Sequence, residues 1–128
     1  MVQVETSQLT AECNAWRDAL RQYRDEFSRE KSELQQICSH QLSKDQLQEV
    51  EHLHNQFHIQ LINIHDLRHA IKSHARLIDH EMNVNNGHLR EETLAAHEML
   101  FDQYQSLDLT LHDLRHEFNH FLSVATTS

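Results

Sequence analysis

Residues 9–37 read LTAECNAWRDALRQYRDEFSREKSELQQI. Leu9, Cys13, Trp16, Leu20, Tyr23, Phe27, Glu30, Leu34 and Ile37 follow one another at alternating steps of four and three residues. Side chains at that spacing lie on one stripe of an α-helix, and a stripe sustained this long is the heptad pattern of helices that pack along their length. The helix is expected to start at Thr6 or Ser7, whose hydroxyls suit the free amides of a first turn. The rhythm lapses around Ser39-His40-Gln41-Leu42. Ser43-Lys44-Asp45-Gln46 then supplies a capping box, a hydroxyl followed three residues on by a glutamine.

Working outward, the same rhythm returns twice. The second helix has the expected seam Leu47, Val50, His54, Phe57, Leu61, Ile64, Arg68, Ile71, Ala75, Ile78, Met82. It should stop at Asn83-Val84-Asn85-Asn86-Gly87, where the glycine suits a left-handed residue. The third has the seam His97, Leu100, Tyr104, Leu107, Leu111, Leu114, Phe118, Phe121, Ala125. Helices are therefore expected over about 7–40, 44–84 and 88–125, each roughly 50–60 Å long. Short turns make neighbours antiparallel. The expected fold is all-α: one domain, residues 1–128, an elongated antiparallel three-helix bundle with coiled-coil-like packing.

Composition agrees. The 128 residues include no proline and a single glycine, Gly87, too few turn formers for a sheet protein. The hydrophobic share of 38% is low, as narrow apolar stripes on long helices require. The net charge of −9, with 11 scattered Lys and Arg, argues against a nucleic-acid surface. Thirteen histidines are the anomaly. Protonating all of them would move the net charge to about +4, mostly near pH 6.5.

No signal peptide is visible at Met1-Val2-Gln3-Val4-Glu5, and no apolar run approaches the ~20 residues of a membrane span. Cys13 and Cys38 form neither a disulfide framework nor a Cys-x-x-Cys pair, and both read as small core residues. A cytoplasmic setting is expected. Nucleophile elbows and glycine-rich phosphate loops are absent from the sequence, so a non-enzymatic role is expected.

Helix three carries more apolar residues than one seam uses, among them Leu89, Ala96, Met99, Phe101, Leu109 and Leu122. Surplus apolar area on a small chain marks an interface. A helical interaction or scaffolding protein follows, self-associating as a two-fold homodimer through Phe101, Leu109 and Leu122.

Glu30, His54, Arg68 and His97 interrupt the seams. A turn near residue 42 sets Glu30 level with His54, a pair that would fix register at some cost in stability. Arg68 falls level with Trp16 and Tyr104 and is expected to rest on an aromatic face. The alternative function is a metal-binding bundle, sensory or redox, holding Fe, Mn or Zn. Glu51-x-x-His54 and Glu117-x-x-His120 each point a carboxylate and an imidazole from one helical face, and Glu30 would add a lone carboxylate.

The pentapeptide His-Asp-Leu-Arg-His occurs twice, at 65–69 and 112–116. Leu67 lies beside its expected seam and Leu114 within its own, which speaks against a structural repeat. Cys13, Trp16 and the later His-x-x-x-His pairs are similar, over a handful of residues, to zinc-binding sensory helical domains. The second Cys/Gly/Trp element of those domains is absent, so no family is assigned.

Overall fold

The computed structural model describes residues 2–37 and 42–125, with side chains from Thr6 onward. Three helices account for almost all of it: α1 (Val2–Ile37), α2 (Lys44–Val84) and α3 (Glu91–Ala125), with no strand among the described residues. Cys38 and turn residues 39–41 lie outside the described residues. The helices run up, down and up. Phe27 meets Phe57 across the first pair, and Phe57 meets Phe118 across the second. Because the chain reverses direction twice, before and after α2, α1 and α3 run parallel, with Tyr23 reaching Asp108 and Glu26 reaching Arg115. The fold is an all-α, elongated three-helix bundle.

The boundaries differ from expectation at two ends. α1 begins at Val2 rather than Thr6 or Ser7. Nothing in Val2-Gln3-Val4-Glu5 breaks a helix, so the rod continues past the expected cap. α3 begins at Glu91 rather than residue 88. Here a side chain of α2 takes the capping role: Glu81, 3% exposed, accepts from the Arg90 backbone N–H and the Thr93 hydroxyl. The Ser43 capping box forms, with Gln46 N–H donating to Ser43 Oγ at 3.1 Å and Ser43 N–H donating to Gln46 Oε1 at 2.9 Å. Asn86 and Gly87 take positive φ, 53° and 85°, and turn the chain between α2 and α3.

The α1 seam packs as its spacing dictates: Cys13, Trp16, Leu20, Tyr23, Phe27, Glu30 and Leu34 are all buried. The α2 seam does not. Its buried residues are Val50, Leu53, Phe57, Gln60, Ile64, Leu67, Ile71, His74, Ile78 and Glu81. The shared positions 50, 57, 64, 71 and 78 hold. The expected partners His54, Leu61, Arg68, Ala75 and Met82 are only partly buried, and the residue before each takes the core. The reason is topological. α2 is packed between α1 and α3, and its buried stripe, still two positions in seven, turns by one residue onto Leu53, Gln60, Leu67, His74 and Glu81.

That shift corrects three further expectations. Glu30 and His54 are not hydrogen-bonded; Glu30 Oε2 is buried with no partner. Arg68 does not stack on Trp16 or Tyr104; the guanidinium lying over an aromatic ring is that of Arg115, 5.1 Å from the Tyr23 centroid. The two His-Asp-Leu-Arg-His copies share one register, with Leu67 and Leu114 both buried and the four flanking histidines exposed.

Candidate metal centre

The end of the bundle nearest the α2–α3 turn gathers one chemically distinctive group. Cys13 of α1, His74 of α2 and His97 of α3 are all buried, and their ligand atoms lie within 4.8 Å of one another. Each sits where the heptads place it. Cys13 falls on the α1 seam, His74 on the corrected α2 seam, and His97 one turn beyond Thr93, which is tied to Glu81. Burial raises the Glu81 carboxyl, but its hydrogen bonds from Arg90 and Thr93, with the charges of Arg90 and His80, together hold it below the ordinary range. The Glu81 clamp makes the two histidine-bearing helices a preformed hairpin.

The polar atoms are ordered by a chain of contacts. His97 Nε2 lies 3.0 Å from Glu12 Oε1, and His97 Nδ1 lies 3.0 Å from His74 Nε2. One tautomer satisfies both contacts. In that tautomer the His97 proton sits on Nε2 and is donated to Glu12, and Nδ1 accepts from His74 Nε2–H. Burial, then the neighbouring His97, lowers the His74 pKa, with Glu81 opposing, so this imidazole stays neutral. Burial, then the Glu12 charge, pushes the Cys13 thiol up to about 11, with Arg17 opposing. A neutral thiol becomes a thiolate in such surroundings only when a cation replaces its proton.

The donor set has a chemical preference. One sulfur and two imidazole nitrogens suit borderline or soft ions such as zinc, copper or nickel, and suit calcium and magnesium poorly. Two zinc–nitrogen bonds of about 2.05 Å at a tetrahedral angle separate their nitrogens by about 3.3 Å. The His74–His97 pair, at 3.0 Å, needs little adjustment. With a metal on Nδ1, the His97 Nε2–H···Glu12 contact becomes the carboxylate–histidine–metal relay that fixes ring orientation and raises ligand basicity. Trp16 covers the His97 ring, with centroids 4.9 Å apart, and stacks in turn on Phe101 and Tyr104.

The five residues expected from Glu-x-x-His spacing are spread over other parts of the bundle. Glu30 is buried on α1 beside Glu26. Glu51 and His54 line a shallow groove with Leu34, Gln35, Val50 and Asn55. Glu117 takes His52 as its partner, at 3.1 Å, both being exposed, and with His120 lines a groove beside Phe121 and Val124. Among the described residues, the group of three or more His, Cys, Asp or Glu side chains close enough to share an ion is Cys13, His74 and His97. Of the expected interface residues, Leu109 is 67% exposed, Phe101 packs against Trp16, and Leu122 is partly buried against the core.

Sequence reasoning had placed Cys13 and His97 on seams but read the first as packing and left the second without a partner. It missed His74, one residue from the expected seam position Ala75. The height relation between helices was the usable clue, since a turn near residue 86 sets His97 within a turn of His74. Comparison with protein families, characterised proteins and solved structures finds no match to this chain. Its class is set by its own geometry, an all-α bundle with a thiol–imidazole cluster joining three helices.

Proposed function

We propose that this chain is a metal-binding helical protein, in which Cys13, His74 and His97 ligate one zinc-like ion and Glu12 orients His97 from behind. The observation that carries the reading is the convergence of a thiol and two imidazoles, one from each helix, in a buried position. Buried polar groups cost stability unless they are partnered, and three metal-ligating side chains meeting in one core layer find their best partner in a cation. The role is binding rather than catalysis, whether as sensor or as structural clasp. A site that needs a reduced thiol fits a cytoplasmic setting.

Zinc titration of the untagged, full-length chain tests this, with Trp16 as the reporter because it lies against His97. The expected result is a saturable fluorescence change at one zinc per chain. At free zinc about 1,000-fold above Kd, stabilisation of about 4 kcal/mol should accompany it, which for a chain of this size means a Tm rise on the order of 10–15 °C. Cys13→Ser and His74→Gln should abolish both responses. Glu12→Gln keeps all three ligands and should weaken binding by roughly 10-fold or more. No change in Tm with zinc, copper or nickel, or an undiminished response in Cys13→Ser, refutes the proposal.

A second reading, self-association as a homodimer through α3, keeps one favourable observation. Met99 and Leu109 are 62% and 67% exposed on that helix. Sedimentation at tens of micromolar, compared with Leu109→Glu, decides it: a monomer in both chains ends that reading.

A further inference from the structure

The two His-Asp-Leu-Arg-His copies place their arginines alike, one residue beyond a buried leucine and on the flank of the core. Their partners differ. Arg115 donates Nε–H to Glu26 Oε2 at 2.7 Å and Nη2–H to Glu26 Oε1 at 2.6 Å, a two-pronged pairing with one carboxylate. Among the described residues Arg68 has no such acceptor. Its Nε is buried and makes no hydrogen bond. The charges that bear on it from α1 are those of Arg24, Arg17 and Arg21, with Asp25 opposing; burial and these like charges all lower its pKa.

Arg17, Arg21 and Arg24 stand at i, i+4 and i+7, so they form one row along α1, about 10 Å long. The row continues to Lys31, whose Nζ lies 3.5 Å from His58 Nδ1 of α2, a contact between two bases. This is the flank of α1 that faces α2, because the opposite flank carries Glu12, Tyr23 and Glu26 toward α3. The carboxylates in reach are exposed ones on α1 itself. Asp18 lies 3.5 Å from Arg21, and Asp25 lies 3.1 Å from Arg24. Exposed pairs of this kind contribute little and exchange readily for a better partner. The lysines and arginines that look scattered in the sequence are thus partly concentrated, on a chain whose net charge is −9.

We propose that Arg68, with Arg17, Arg21 and Arg24 beside it, is a binding site for a compact polyanion carrying one or two phosphate groups. Arg115 shows what this position takes, an anion with two oxygens in the plane of the guanidinium. A single carboxylate would neutralise Arg68 and leave three neighbouring guanidinium charges. A phosphate dianion or a pyrophosphate offers several oxygens and two or more charges within the span of the row. Planar guanidinium groups are the side chains best matched to such oxygens. The site lies on the α1/α2 flank, whereas Glu12 and His97 of the metal centre meet on the α1/α3 side, so neither proposal depends on the other.

The test is calorimetric titration of the full-length chain with inorganic pyrophosphate, in a low-salt buffer free of phosphate and sulfate. Saturable binding is expected at one site per chain. It should weaken about 10-fold or more in R68M, which keeps the apolar stem and removes the fork. R17Q/R21Q/R24Q changes only side chains outside the sealed core and should weaken binding as much, with helical content by circular dichroism unchanged. R90Q, at the start of α3, removes a positive charge away from the row and should bind as the parent does. Co-sedimentation with phosphatidylcholine vesicles, with and without phosphatidic acid, separates a lipid headgroup from a free phosphate as the source. Binding to either form supports the site. Absence of both, or equal losses in R90Q and R68M, overturns it.

Discussion

Replacing Glu30 by glutamine should make this protein less sensitive to alkaline pH, by an amount the structure defines. Glu30 is 8% exposed, and one of its oxygens has no hydrogen-bond partner. Burial, then the charge and hydrogen bond of Glu26 and the charge of Glu33, push its pKa from 4.5 up to about 7, with Arg115 opposing. Glu26 moves the other way. Held mainly by the two-pronged Arg115, it stays below the ordinary carboxylate range and accepts the hydrogen bond from protonated Glu30. The folded chain therefore keeps a proton on Glu30 between about pH 4.5 and 7, where the unfolded chain has lost it. Stability must fall as pH rises through that window, because the native state binds the extra proton. A shift of this size corresponds to about 3 kcal/mol at 1.36 kcal/mol per unit. Glutamine keeps the shape and the donor but cannot ionise. Urea unfolding of parent and Glu30→Gln at about pH 5 and pH 8 isolates the effect, since other titrating groups cancel in the difference. Glu30→Gln should gain on the parent by about 2–3 kcal/mol between the two pH values. A difference that stays constant with pH would mean that Glu30 ionises as a solvated carboxylate, and the reasoning would fail.

Two further outcomes follow from packing and capping. Phe57 is fully buried, with ring centroids 5.3 Å from both Phe27 and Phe118, so it joins all three helices. Phe57→Ala should cost about 3–5 kcal/mol in urea unfolding, and a loss below about 1 kcal/mol would contradict the triple contact. Ser43→Ala removes the acceptor for Gln46 N–H and should cost about 1 kcal/mol, most of it restored by Ser43→Asp or Asn; identical stabilities for the alanine and aspartate variants would show that the cap contributes nothing.

The sequence carried the architecture because heptad spacing is a local property. Every buried residue of α1 from Cys13 to Leu34 lies on the stripe read from its spacing, and both turns were marked by Ser43 and Gly87. The candidate site was half legible. Its seam residues depend on which flank of α2 faces α3, and a single apolar stripe cannot report that. Two readings of α2 share Val50, Phe57, Ile64, Ile71 and Ile78 and differ at every position between them. One stripe includes Arg68 and Ala75; the other includes Leu67 and His74. Only the packing of a third helix decides. Once it does, His74 enters the core beside His97, and Arg68 leaves it for the flank.

The same shift explains how one small bundle tolerates so many polar groups inside. Besides Gln60 and the Glu81–Thr93 pair, two groups of them stand apart along the bundle. Cys13, His74 and His97 form one near the α2–α3 turn, and Glu26, Glu30 and Arg115 form another further along α1 and α3. Between them Leu20, Tyr23, Phe27 and Ile64 pack the interior. Each layer meets the cost of its burial differently. In the second, a charge is paired by a fork and a proton is retained. In the first, His74 and His97 contact each other and His97 contacts Glu12, which occupies both His97 nitrogens, while the Cys13 ligand atom lies within 4.8 Å of theirs. A layer of three metal-ligating side chains contributes less to folding than the apolar residues it displaces, unless a cation completes it. That imbalance is the physical reason to expect stability to respond to zinc at this layer and not to respond at Glu30.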